Sequence, residues 1–266
     1  MGSGDRPGSD ATEGNGVQTS GAARVPEPPR GWHAAPAQCR RILIVGAGGF
    51  GREVLQWARD AWPSSQDRIA GFLSDDPRSL DERGCDLGIL ETTESYRPQP
   101  GDGVLLAIGI PEVRRRVAES LVARGAAFLT LVHPTAIVAR TATIDAGAVV
   151  CPYAIVSDCC RVGRFVIMNY HASLGHDAAA GDFSVLSPYA TLGGGARISE
   201  DVFLGLHASV GPGRTIGPRS RISANSCALF SAPADSIIFG VPGRLSPRID
   251  AGAPEAGSKP VHHPRP

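Results

Sequence analysis

Residues 137–226 divide into fifteen consecutive units of six with no slip in phase, from IVARTA, TIDAGA and VVCPYA at the start to SVGPGR, TIGPRS and RISANS at the end. The second place of every unit is aliphatic: Val138, Ile144, Val150, Val156, Val162, Met168, Leu174, Ala180, Leu186, Leu192, Ile198, Leu204, Val210, Ile216 and Ile222. The third place is always Gly, Ala, Ser, Asn, Asp or Cys. A helix cannot hold a period of six on one face, and an extended strand alternates every two residues. One large inward residue per six therefore requires a short strand and a tight turn, repeated, which is a β-solenoid.

Upstream lies a different pattern. Arg41 to Val45 is a short β-branched run that ends in Gly46-Ala47-Gly48-Gly49-Phe50-Gly51, and Val54, Ala58, Ala61 and Trp62 follow at helical spacing. Ile69 to Leu73 and Val104 to Ile108 read as further strands, the first running into Ser74-Asp75-Asp76-Pro77 and the second into Gly109. Pro111 suits a first helical position, with Val113, Val117 and Leu121 on one face, and Phe128 to Val132 reads as a strand closing a small α/β unit. A Gly-x-Gly-x-x-Gly turn between strand and helix is a phosphate cradle: bare backbone lets the ligand approach, and the helix N-terminus attracts the anion. Asp75 falls where a ribose-binding acid would. The unit lacks a second mononucleotide-binding half, so a single nucleotide, such as that of a nucleotide sugar, fits better than a dinucleotide.

Gly and Pro number 33 and 22 among 266 residues, yet an apolar content of 42% supplies a core, so the glycines serve a folded chain. Lys plus Arg and Asp plus Glu are 26 each, which gives no electrostatic reason to expect nucleic acid or an anionic membrane as partner. No run of 18 apolar residues occurs, and the first 38 residues contain no apolar signal core, so a cytoplasmic protein without membrane insertion is expected. The six Cys residues (39, 85, 151, 159, 160 and 227) show no paired metal-ligand spacing and are read as reduced thiols. The expected organisation is a disordered arm over 1–38, a Rossmann-like nucleotide-sugar-binding domain over 39–134, a solenoid over 135–246 and a disordered tail over 247–266.

The hexads resemble those of the hexapeptide-repeat acyltransferases, whose left-handed parallel β-helix uses three hexads per 18-residue coil; fifteen hexads then make five coils. GAGGFGREV, FLSDDP, AIGIPEVRRRV, VHPTAIV, the GHD turn and FGVPGRL together resemble the bacterial sugar acetyltransferases that modify sialic acids or nucleotide-linked amino sugars. The resemblance implies that Gly48, Gly49, Phe50, Asp75 and Gly109 hold the nucleotide of the sugar, with Phe50 standing where the family often has His. It also implies acetyl-CoA as co-substrate, a homotrimer with the coenzyme between neighbouring solenoids, and Leu206 and Ala224 at positions facing that coenzyme.

Acyl transfer from a thioester needs a base to take the proton of an incoming amine or hydroxyl, and His, with a reference pKa of about 6.5, suits that task. His176 stands in Gly175-His176-Asp177, at the fourth place of its hexad and outside the apolar core positions. The resemblance makes His176 the general base, Asp177 the acid that tunes it, and Asn169 an active-site residue. Asn169 is equally readable as a turn-forming residue at a small third position. One coil on from His176 is Gly194, whose N–H would lie about 4.8 Å away and could steady a developing oxyanion. Nine residues after His176 the family usually has a second His, and here Val185 stands instead.

Tyr153, His171, Tyr189 and His207 recur at intervals of 18, forming one stripe at the fifth hexad place. The plain reading is an aromatic stripe packed on a neighbouring subunit. The alternative is metal: His171, His176 and His207 resemble the three histidines of the γ-class carbonic anhydrases, although position 135, where that family's third His would fall, is Thr135. The favoured function is an acetyl-CoA-dependent sugar N- or O-acetyltransferase with direct attack on the thioester and no metal. The competitors are a zinc-dependent carbonic anhydrase-like solenoid and a non-catalytic nucleotide-sugar-binding scaffold.

Overall fold

A computed structural model of the chain describes residues 1–2, 35, 37–81 and 83–248. The expectations for the arm and the tail fall outside the described residues except at 1–2, 35, 37–38 and 247–248. Among the described residues no helix is long and apolar enough to cross a membrane.

The N-terminal unit is a parallel sheet of β1 (Arg41–Val45), β2 (Ile69–Leu73), β3 (Ile89–Glu91) and β4 (Asp102–Leu106), in the order β3-β2-β1-β4. Helix α1 (Gly49–Ala61) follows β1 and buries Val54, Leu55, Ala58 and Ala61. Helix α2 (Pro111–Ala123) follows β4 with Pro111 in its first turn. Its buried stripe is Pro111, Arg114, Ala118 and Leu121, while Val113 and Val117 are half-buried. The helix is therefore rotated by about one residue from the all-apolar face read in the sequence.

Arg114 causes that rotation. It is fully buried, and its guanidinium donates to the carbonyls of Phe165 (2.6 Å), Leu106 (2.7 Å) and Ile108 (3.1 Å). Burial in this carbonyl cage pushes its pKa down to about 9.

The solenoid forms as the hexads require. Each of the fifteen units contributes one two-residue strand from its first two places, from Ile137–Val138 to Arg221–Ile222. Every strand pairs in parallel with the strand 18 residues away, Ser173 with Thr191 for instance, so three faces build up coil by coil. The first face carries Val149, Ile167, Val185, Phe203 and Arg221, the second Ile155, Ser173, Thr191 and Ser209, and the third Thr143, Arg161, Ala179 and Arg197. The repeat extends one hexad further at each end: β5 (Leu131–Val132) pairs with Val149–Val150, and Cys227–Ala228 with Ser209–Val210. Leu131 and Val132 thus join the solenoid, and only Phe128 bridges β4, at Val104. The chain then closes the first face with Ser236–Phe239, which pairs in parallel with Arg221–Ile222 and antiparallel with Arg244–Pro247.

Two features of the hexad go beyond the second-place rule. The sixth place is also inward, filled by small residues such as Ala148, Ala154, Cys160, Ala172, Ala178, Ala190 and Ala208. The fifth place is left-handed in every unit from Gly147 to Asn225, although most of its residues are not glycine; Tyr153, Phe165, His171, Asp177 and Arg219 all have φ between 57° and 59°. In this conformation the fifth N–H donates to the coil before, from Phe165 on to its fourth carbonyl, as Asp177 does to Asp158 (2.9 Å), and in Gly147, Tyr153 and Cys159 to the hydroxyls of Thr130, Thr135 and Thr141. Repeated interlocking of coils offsets the backbone cost, about 1–2 kcal/mol per L-residue.

The N-terminal unit packs on the first face and on both edges of that face. Val149 and Cys151 share a core with Val54, Leu55 and Trp62. Phe165 and Phe183 share another with Leu43, Leu106 and Leu121. Arg115 of α2 pairs with Asp201 (2.8 Å), and Glu112 with Arg221 (2.9 Å). The second face and its edge with the third face remain open, whereas the edge between the first and second faces is partly covered by the N-terminal unit at Cys151, Tyr170 and His133, whose Nε2 lies 3.3 Å from Asp60 Oδ2.

Candidate functional site

The edge between the second and third faces carries Gly175-His176-Asp177, with Asp158 and Cys159 one coil below and Gly193-Gly194-Gly195 one coil above. The turn is locked by Gly175 N–H to the Leu192 carbonyl (2.8 Å) and Gly195 N–H to the His176 carbonyl (2.7 Å). The small third place is demanded by sterics: a Cβ on Gly175 would lie 2.8 Å from the Gly194 nitrogen, and one on Gly193 2.7 Å from that of Pro212.

The His176 imidazole stands largely in solvent, at 72% side-chain exposure, and its Nδ1 bonds Asp177 Oδ2 at 2.8 Å. A carboxylate accepts only, so Nδ1 carries the proton and Nε2 is left with a free lone pair. The ring lies over Gly194, where an added Cβ would come 2.5 Å from Nε2 and 2.7 Å from Cε1. No described residue accepts the Gly194 N–H. An available base, an acid fixing its tautomer and an unclaimed donor therefore meet at one edge.

Sequence reading did not single out Asp158 and Cys159. Asp158 accepts from Thr141 Oγ1 at 2.5 Å, and Cys159 is exposed with its Sγ 3.6 Å from Asp158 Oδ2. The 18-residue register locates both beneath His176 and Asp177.

Asn169, Leu206 and Ala224 lie elsewhere, on the edge between the first and second faces. Asn169 Oδ1 accepts the Tyr170 N–H at 2.8 Å, the turn-forming arrangement. Leu206 and Ala224 are exposed and one coil apart. Beside them the rings of Tyr153, His171, Tyr189 and His207 stack at centroid spacings of 5.2, 4.7 and 4.6 Å. His171 and His207 cover opposite faces of Tyr189, and His176 is on the other edge of the second face. Among the described residues no group of three or more His, Cys, Asp or Glu is placed to hold a metal ion. Val185 is buried on the first face, away from His176.

In the N-terminal unit, Gly46 has φ 99° and a Cβ there would lie 2.7 Å from the Ala107 oxygen; one on Gly51 would strike the Gly46 carbonyl. These two glycines serve the strand-turn-helix joint itself. Gly48 and Gly109 have open space where a Cβ would go, and Gly49 meets nothing nearer than Arg52 at 4.0 Å, so packing does not demand glycine at these three. Phe50 packs edge-on against Trp57, with centroids 5.9 Å apart. Asp75 is held by the Thr93 N–H (2.7 Å) and Oγ1 (2.7 Å), and lines a cavity of about 430 Å³ together with Ile108. Gly49 lines a separate hollow with Arg52 and Cys85.

Residues 41–121 match the PglD N-terminal domain family. GDP-perosamine N-acetyltransferase of Escherichia coli O157:H7 is 28% identical over 143 residues, 53% of this chain and 64% of that protein. UDP-N-acetylbacillosamine N-acetyltransferase of Bacillus subtilis (strain 168) is 34% identical over 114 residues, 42% of this chain and 51% of that protein. The chain thus spans between half and two thirds of the length of these curated relatives. Among solved structures, the acetyltransferase domain of PglB from Neisseria gonorrhoeae FA1090 superposes with a TM-score of 0.64 at 25% identity, covering 77% of this chain and 98% of that one. PerB from Caulobacter crescentus, in complex with CoA and GDP-perosamine, superposes with a TM-score of 0.68 at 23% identity, covering 77% and 97%, and shares the fold.

Proposed function

Starting from a chain with a PglD-type N-terminal domain and sugar N-acetyltransferase relatives, we propose that it is an acetyl-CoA-dependent acetyltransferase acting on an amino group of a nucleotide-linked sugar. The observation that carries this reading is the paired Nδ1 of His176, which leaves Nε2 free beside the unclaimed Gly194 N–H.

The N-terminal unit binds the nucleotide part through Gly48, Gly49, Gly109 and Asp75, where backbone is bare or a carboxylate is fixed. His176 Nε2 takes the proton of the attacking amine, and the imidazolium so formed is steadied by Asp177. Bound acetyl-CoA supplies a thioester carbonyl to that amine. The Gly194 N–H is free to donate to the carbonyl oxygen as negative charge grows on it. The lack of a Cβ on Gly194 leaves the imidazole its room. The exposed Leu206 and Ala224 edge is assigned to the coenzyme. Within one chain the second face separates that edge from His176, so a neighbouring copy must bring its own edge to complete the site. A homotrimer around the open second faces satisfies this.

Turnover is tested by acetyl-CoA consumption with the full chain and GDP-, UDP-, CMP- and dTDP-linked amino sugars, with free sialic acid as the hydroxyl-bearing comparison. Acetylation of at least one amino sugar is expected, slowed at least about a hundredfold by His176→Ala with nucleotide binding retained. No turnover on any substrate, together with stoichiometric zinc, would overturn the reading in favour of the carbonic anhydrase-like alternative. Turnover within about twofold of the parent in His176→Ala would remove the histidine from the mechanism.

A further inference from the structure

The 430 Å³ cavity beside Asp75 contains more than a ribose-binding acid requires. It opens beyond the carboxyl ends of β2 and β4, the crevice where open parallel sheets receive ligands. The apolar side chains of Ile108, Val113 and Val117 line it together with Arg116 and Glu94, both of them exposed. Asp75 is committed in orientation by Thr93. Arg116 and Glu94 differ: among the described residues nothing accepts from the Arg116 guanidinium and nothing donates to the Glu94 carboxylate. Arg97 and Arg124 also line the cavity, but their guanidinium groups donate to the carbonyls of Glu94 and Tyr96, so among the described residues Arg116 and Glu94 are the lining charges left without a partner.

A nucleotide whose ribose reaches Asp75 can place its base in this cavity, which Asp75 lines. Apolar side chains suit the faces of a planar ring, and the two charges meet its edges. Guanine presents two adjacent acceptors, O6 and N7, which match a guanidinium, and two adjacent donors, N1–H and the N2 amino group, which match a carboxylate. Uracil and thymine place a single N–H between two carbonyl oxygens, which a carboxylate repels. Cytosine and adenine set a donor beside an acceptor, and neither charge is matched twice.

We propose that this cavity is a guanine pocket in which Arg116 reads O6 and N7 and Glu94 reads N1–H and N2, so that the sugar is carried on GDP. The inference rests on the nucleotide-sugar reading above and adds the identity of the base.

Calorimetric titration of the full chain with GDP, IDP, UDP, CDP and dTDP tests it. GDP is expected to bind at least about tenfold more tightly than the three pyrimidine diphosphates. Arg116→Ala should remove about tenfold of the GDP affinity and leave UDP unchanged. Glu94→Gln should bring GDP and IDP, which lacks the N2 amino group, to similar affinity. Both residues are exposed, so the variants should melt with the parent chain. A pyrimidine diphosphate binding as tightly as GDP overturns the guanine assignment, as does an Arg116→Ala variant that weakens all the diphosphates equally, which would make Arg116 a phosphate contact. Turnover of a pyrimidine-linked amino sugar with that result leaves the transferase reading standing. Failure of every diphosphate to bind removes both.

Discussion

Gly194 and Gly195 are neighbours that are glycine for different reasons, and substitution separates them. A methyl on Gly194 lands 2.5 Å from His176 Nε2, so Gly194→Ala should displace the imidazole and lower kcat at least tenfold while the melting temperature holds. Gly195 has room beside it but φ 68°, so Gly195→Val should instead lower stability by about 1–2 kcal/mol in a denaturant titration. His176→Ala is expected to cut kcat by about 10²–10⁴ with little change in KM for the nucleotide sugar. Cys159→Ser provides the control for direct transfer: turnover within about twofold of the parent is expected, whereas loss comparable to His176→Ala would indicate an acyl-cysteine. The meeting of His176 with Gly194 was legible because the 18-residue register stacks one over the other. Asp158 and Cys159 were within reach of the same arithmetic run one coil backwards. Asn169 was not decidable from sequence, because whether its amide turns to Tyr170 or to a ligand depends on a rotamer.

At the scale of elements, the second hexad place shows a single physical property, apolar bulk, and the sequence displays it openly. The left-handed fifth place does not, since Tyr, Cys, Phe, His, Asp, Arg and Asn share no chemistry and only three of its units carry Gly. What they share is a hydrogen bond to the previous coil, which no single hexad reveals. The α2 face differs from the sequence reading of Val113, Val117 and Leu121 for a related reason: Arg114 is charged and shows no apolar signal, yet carbonyls from two parts of the fold enclose it. A second buried polar knot ties β4 to its approach. Asp102 accepts from Arg41 (2.8 Å), Tyr96 (2.8 Å) and the Gln99 N–H (3.0 Å). Burial pushes its carboxyl up, but these donors outweigh it and the pKa is lowered. A depressed folded-state value means the knot is intact above the ordinary carboxylate pKa of 3.8 and is lost as pH falls through the folded value. Thermal melts from pH 7 down to pH 3 should therefore show a drop below about pH 4, and Asp102→Asn should be less stable at pH 7 with a smaller acid-dependent drop.

At the scale of the whole molecule, Arg114 fastens the N-terminal unit to the solenoid through the Phe165 carbonyl, with Arg115–Asp201 and Glu112–Arg221 alongside. Arg114→Ala leaves several buried carbonyls unpaired and should cost about 3–5 kcal/mol, seen as early melting of both parts together. Sedimentation should give three times the chain mass, and a monomer that remains active would refute a site shared between copies. The antiparallel return of Arg244–Pro247 bears on a hazard common to stacked parallel strands. A solenoid of identical rungs offers its last rung as a template for another chain, and end-to-end growth then has no natural stop. By reversing direction against Ser236–Phe239, the chain covers the first face's terminal rung with a strand whose polarity the next coil could not extend. The hairpin acts as a terminator, keeping a repetitive architecture finite.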